Sequence, residues 1–96
     1  MAPRLNKVTF RATALKELES LPKPIQKLAA EVIESLRMSD MPKGAIVMRN
    51  RPDLRRIYVG AKHRLLYAIV GKHKIAVLRI RHRKLAYAHL DKIRLH

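Results

Sequence analysis

The side chains with chemistry to offer are arginines at strand spacing. Arg79, Arg81 and Arg83 recur at every second position, and Arg56 and Arg64 stand in separate segments upstream. Along a strand successive side chains point to opposite faces, so a spacing of two collects arginines on one face. A guanidinium is planar and always charged, and it contacts phosphate through two parallel hydrogen bonds. Such a row suits the binding of a polyanion and the stabilisation of negative charge developing on it. His82 lies inside the run, where an imidazole can move protons near neutral pH. Tyr58 and Tyr87 are candidates for stacking on bases, worth about 1–3 kcal/mol per base. Lys62 and Lys84 add positive charge at the segment ends.

Other chemistries are absent from the sequence. There is no cysteine, hence no disulfide and no thiolate metal site. None of the five histidines pairs with another at the i, i+4 spacing of a zinc helix with a nearby acid, so no metal or other cofactor is expected. Glu17, Glu19, Glu31 and Glu34 read as solvated helix faces. No apolar run reaches the ~18 residues of a membrane span, and no apolar stretch follows the N-terminus as a secretory signal would require. A soluble cytoplasmic protein without a membrane partner is the expectation.

The charge is one-sided along the chain. Lys and Arg total 22 against 7 acids, a net +15 over 96 residues. Residues 1–40 hold seven basic and five acidic side chains, whereas residues 41–96 hold fifteen and two. Charge this concentrated attracts polyanions by steering and counterion release.

Positioning the arginines requires a sheet, and 96 residues suffice for one domain with one modest core. Val8 and Phe10 at period two predict a strand over 4–10. Leu15, Leu18 and Leu21 predict a helix over 11–21. Pro22 and Pro24 end it and open a second helix over 24–38, striped by Ile25, Leu28, Ala29, Val32, Ile33 and Leu36. Residues 39–53 read as loop. Strands are predicted at Leu54–Val59, Arg64–Val70 and Lys74–His82, with turns at 60–63 and 71–73. A short C-terminal helix is expected over 84–94. The fold class is α+β: an N-terminal strand and helical hairpin on a small, mainly antiparallel sheet of about four strands.

Parity assigns the faces. Ile57, Val59, Leu65, Tyr67, Ile69, Ala76, Leu78 and Ile80 are expected under the helices, which makes Tyr67 a core residue. Arg56, Tyr58, Arg64, Arg79, Arg81 and Arg83 fall on the other face, beside an apolar patch of Leu66, Val70, Ile75 and Val77. The patch suits either a partner's apolar segment or the chain's own C-terminal helix.

The run Pro52-Asp53-Leu54-Arg55-Arg56-Ile57-Tyr58-Val59-Gly60, then His63-Arg64-Leu65-Leu66-Tyr67, then Ile75-Ala76-Val77-Leu78-Arg79-Ile80-Arg81-His82-Arg83 resembles the C-terminal half of RelE/ParE toxins. The strand and helical hairpin before it match that family's N-terminal half. The resemblance implies the toxin of a type II toxin–antitoxin pair, with an acidic antitoxin as partner. RelE-like members enter the ribosomal A site and cut mRNA; ParE-like members inhibit DNA gyrase and cut nothing. The RelE-like reading is favoured. It implies metal-free cleavage in which the RNA 2′-OH is the nucleophile.

By the same resemblance, Arg56, Arg64 and Arg83 fall on basic family positions, and Tyr87 on a late tyrosine that stacks or orients. Lys62, Tyr58, Arg79, Arg81 and Lys84 would contact RNA. Where RelE-like enzymes carry a second lysine, this chain has Tyr58. A phenol, with an ordinary pKa of about 10, is a poor base near neutrality, which leaves His82, His63 or Lys62 for proton transfer. A basic nucleic-acid-binding protein without toxicity is the remaining alternative.

Overall fold

A computed structural model describes residues 4–95. A five-stranded sheet carries a helical hairpin on one face and the C-terminal segment on the other. Strand β1 (Lys7–Phe10) leads into α1 (Ala12–Ser20) and α2 (Lys23–Met38). Then come β2 (Ile46–Val47), β3 (Arg55–Val59), β4 (His63–Gly71) and β5 (Lys74–His82). The chain ends in α3 (Arg83–Ala86) and a 3₁₀ turn at Leu90–Lys92. The sheet order is β1-β5-β4-β3-β2, with only the β1–β5 pair parallel. The fifth strand, β2, lies within the segment read as loop from its Pro and Gly content.

Local contacts explain the hairpin. Gln26 in α2 donates its side-chain amide to the carbonyls of Leu18 and Glu19, satisfying acceptors at the end of α1. Pro22 and Pro24 supply the fixed φ of a helix start. Asn6 ties the chain ahead of β1 to the end of α2 through the carbonyls of Leu36 and Arg37, at 2.9 and 2.8 Å. Gly60, at φ +65°, turns β3 into β4 where a Cβ would press on Leu28 at 3.1 Å.

The core has two parts, one on each face of the sheet. Beneath the helices lie Ala14, Ala29, Leu36, Ile57, Val59, Leu65, Tyr67, Ile75, Val77 and Ile80. On the other face Leu54, Leu66, Ala68 and Leu78 pack against Ala86 and Ile93 of the C-terminal segment. Tyr67 is fully buried, as its parity predicts, and its hydroxyl donates to the carbonyl of Asp40 at 2.8 Å. Burial raises its pKa.

Four residues of β5 lie opposite to simple parity. Ala76 and Leu78 face the C-terminal segment, while Ile75 and Val77 face the helices. The cause is a β-bulge. Leu66 pairs with Arg79 but Tyr67 pairs with Val77, so Leu78 is an extra residue that resets the alternation. The expected apolar patch is therefore dispersed. Leu66 is covered by the C-terminal segment, Ile75 and Val77 join the helix-side core, and Val70 stays exposed.

The expected helix over 84–94 is broken. His89 adopts left-handed backbone geometry at φ +52°, between α3 and the 3₁₀ turn. The carbonyls of Ala86, Ala88 and His89, which a continuous helix would give to its own N–H groups, accept hydrogen bonds from the Arg79 guanidinium.

Candidate anion-binding site

Sheet register builds the site. One row across the sheet is Arg56–Leu66–Arg79, and the next is Tyr58–Arg64–Arg81. The second row sets one aromatic ring beside two arginines, each about one strand spacing from the next. The Arg64 guanidinium lies over the Tyr58 ring, its Cζ 3.6 Å from the centroid. Arg56, two residues before Tyr58, brings its Cζ to 5.0 Å from the same centroid. The two guanidinium carbons are thus at most 8.6 Å apart. One phosphodiester, or two consecutive ones, can engage both.

Arg64 is held in place. Its Nη1 donates to the carbonyls of Ala61 and His63, at 3.2 and 2.9 Å, and only 8% of the residue is exposed. Next to Arg56 opens a cavity of about 500 Å³, bounded by Met48, Arg49, Asn50, Tyr87 and Leu90 together with β2. It joins Tyr87, 37% exposed, to the arginine face. At the sheet's end the Arg83 N–H donates to the Lys62 carbonyl at 2.7 Å, leaving the side chains of Arg83, Lys62 and Lys84 exposed nearby.

The sequence model of a family described as ParE toxin of type II toxin–antitoxin system, parDE, matches residues 8–87. The chain belongs to that family. It is thereby a member of the RelE/ParE toxin superfamily.

The toxin fold has solved counterparts. A chain of the archaeal RelE–RelB complex from Pyrococcus horikoshii OT3 is 24% identical, with 82% of this chain and 96% of that chain covered and a TM-score of 0.69. A chain of the RelB–RelE antitoxin–toxin complex from Methanococcus jannaschii is 25% identical, covering 84% and 96%, with a TM-score of 0.68. The YoeB/ParE toxin from Agrobacterium tumefaciens shares the fold at 13% identity, covering 80% and 98%, with a TM-score of 0.72. No curated protein matches the chain by sequence.

Against this toxin frame the remaining candidates divide. Arg79 lies on the arginine face but 7% exposed, with Nη1 donating to Ala86 at 3.1 Å and to Ala88, and Nη2 to His89. Its guanidinium is engaged by the chain's own carbonyls, and burial lowers its pKa. Arg81 pairs with Glu17 of α1 through Nε. The other Glu17 oxygen accepts the Ile80 N–H at 3.2 Å. Glu17 is therefore no solvated acid: it caps the β5 edge and holds an arginine.

His82 shares its face with Ile80 and pairs across the strands with His63, on the side away from Arg64. The two rings meet edge to face at 5.5 Å. Its Nδ1 accepts the Lys84 N–H at 3.2 Å and caps α3. Burial, followed by the positive surroundings of His63, Lys84, Arg83 and Lys62, lowers its pKa. The neutral ring therefore carries its proton on Nε2, with Nδ1 occupied by the cap.

Sequence reading passed over Arg49 and Asn50, which the bend before β3 brings to the cavity beside Arg56. The surplus of basic residues in Met48-Arg49-Asn50-Arg51 was the available signal. Glu17 gave none, because its partners lie more than 60 residues away.

Proposed function

We propose that this toxin cuts mRNA on the ribosome without a metal ion and is neutralised by an acidic antitoxin. The observation that supports this best is the pair Arg56 and Arg64, from separate strands, flanking one exposed ring beside the Tyr87 cavity. In the reaction the RNA 2′-oxygen bonds to phosphorus as its proton passes to water, the bond from phosphorus to the 5′-oxygen breaks, and that oxygen takes a proton from water, which leaves a 2′,3′-cyclic phosphate and a 5′-hydroxyl. Arg56 and Arg64 neutralise charge on the non-bridging oxygens, the term that preorganised cations supply best. Arg83 and Lys62 hold the flanking backbone, and Tyr87 stacks on a base.

In a purified translation system the wild type is expected to cleave a reporter mRNA within the A-site codon. Arg64→Ala lowers the rate by about 10²-fold or more. Intact mRNA in the presence of folded wild type would refute the reading. Inhibition of gyrase is the second reading, favoured by the ParE description of the matching family and by His82 lying away from the arginines. A supercoiling assay with purified gyrase discriminates the two. For the antitoxin, the +15 chain calls for an acidic partner that brings carboxylates to the arginine face; co-expression with such an acidic antitoxin is expected to rescue growth.

A further inference from the structure

Tyr58 occupies a position where a base would be wanted, yet its surroundings describe a different task. The Arg64 guanidinium has five N–H bonds. Those on Nη1 are directed to two backbone carbonyls of the β3–β4 turn. One planar face is covered by the Tyr58 ring at 3.6 Å, a distance at which cation–π attraction operates. Among the described residues no hydrogen-bond partner meets Nε or Nη2, and these form the fork that grips a phosphate. Stacking covers a face and leaves in-plane donors open. The carbonyls fix one end of the guanidinium and the ring fixes its plane.

From this we infer that Tyr58 is the positioning residue of the anion site: its ring clamps Arg64 so that the Nε–Nη2 fork is oriented before a phosphate arrives. The inference rests on reading the arginine face as a phosphate site. It replaces the base-stacking role for Tyr58, since the ring face toward Arg64 is already taken. The aromatic ring carries the effect and the hydroxyl does not. A guanidinium that enters binding already oriented loses less freedom than a loose one. Exposure of 51% for Tyr58 against 8% for Arg64 fits a ring lying outermost as a cover.

The test compares wild type, Tyr58→Phe and Tyr58→Leu. Guanidinium ¹H–¹⁵N spectra of the free proteins read the clamp without any ligand. The Arg64 Nε–H signal, assigned with Arg64→Lys, is expected upfield from the ring current in wild type and Tyr58→Phe, and at an ordinary position in Tyr58→Leu. Titration with a short single-stranded RNA reads the consequence. Tyr58→Phe is expected to bind like wild type, and Tyr58→Leu roughly 2- to 30-fold more weakly. Loss of binding in Tyr58→Phe equal to that in Tyr58→Leu would overturn the inference, because the hydroxyl would then be at work. An Arg64 signal unmoved by Tyr58→Leu would overturn it as well. If the signal moves as expected but wild type binds no RNA, the clamp stands and the nucleic-acid reading falls.

Discussion

At the residue scale, the same side chain does opposite work in different surroundings. Arg64 and Arg79 both lie on one sheet face and both are more than nine-tenths buried. Arg64 retains an unengaged fork among the described residues, whereas Arg79 gives its donors to three carbonyls of the C-terminal segment. Nothing in a spacing of two distinguishes them. The distinction yields a prediction. Arg79→Ala takes the donor from the Ala86 and Ala88 carbonyls, while the His89 carbonyl keeps the Lys92 N–H, and leaves an unfilled space, at a cost of about 2–3 kcal/mol in stability, with RNA affinity preserved while the protein remains folded. Urea unfolding and RNA titration of the same variant check both parts. A variant as stable as wild type but poor at binding would assign Arg79 to the site instead.

At the element scale, the helical hairpin and the three long strands were legible because apolar residues recur at helix spacing or gather in short runs, and Pro22, Pro24, Gly60 and Gly71 mark the turns between them. The arginine face was legible for Arg56, Tyr58 and Arg64, since β3 and β4 keep strict alternation through that region. Over Ile75 to Leu78 the count fails, because a bulge is decided by how two strands pair and not by either alone. The C-terminal helix likewise fails on a tertiary cause, the capture of its carbonyls by Arg79. Its first turn depends on His82, whose Nδ1 accepts the Lys84 N–H. A protonated Nδ1 cannot accept, so the cap is an acid-labile element. The folded pKa lies below the unfolded value of about 6.5. The unfolded chain thus takes up the proton more readily, and the stability from this group is complete above about pH 6.5 and declines as pH falls through the folded value. Thermal melts from about pH 7.5 to pH 5 are expected to show the decline. His82→Asn, which caps without titrating, is expected to reduce it; an unchanged pH dependence in that variant would remove His82 as its source.

At the scale of the whole molecule, one sheet separates two duties. The helix side holds the larger core, and the other side holds both a smaller core and the arginines. The C-terminal segment covers only part of that second face and is secured by arginines: Arg79, Arg51 to the carbonyl of Leu90, and Arg11 to that of Arg94. The uncovered part bears Tyr58, Arg56 and the Tyr87 cavity. The excess positive charge thus has two uses, fastening the chain to itself and meeting a polyanion. The most direct measurement of the second use is a double-mutant cycle on RNA affinity with Arg56→Ala, Arg64→Ala and the double variant. Two guanidinium groups acting on a shared phosphate are expected to couple by about 1 kcal/mol or more, whereas losses that add to within about 0.5 kcal/mol would mean that the two arginines serve separate ligands.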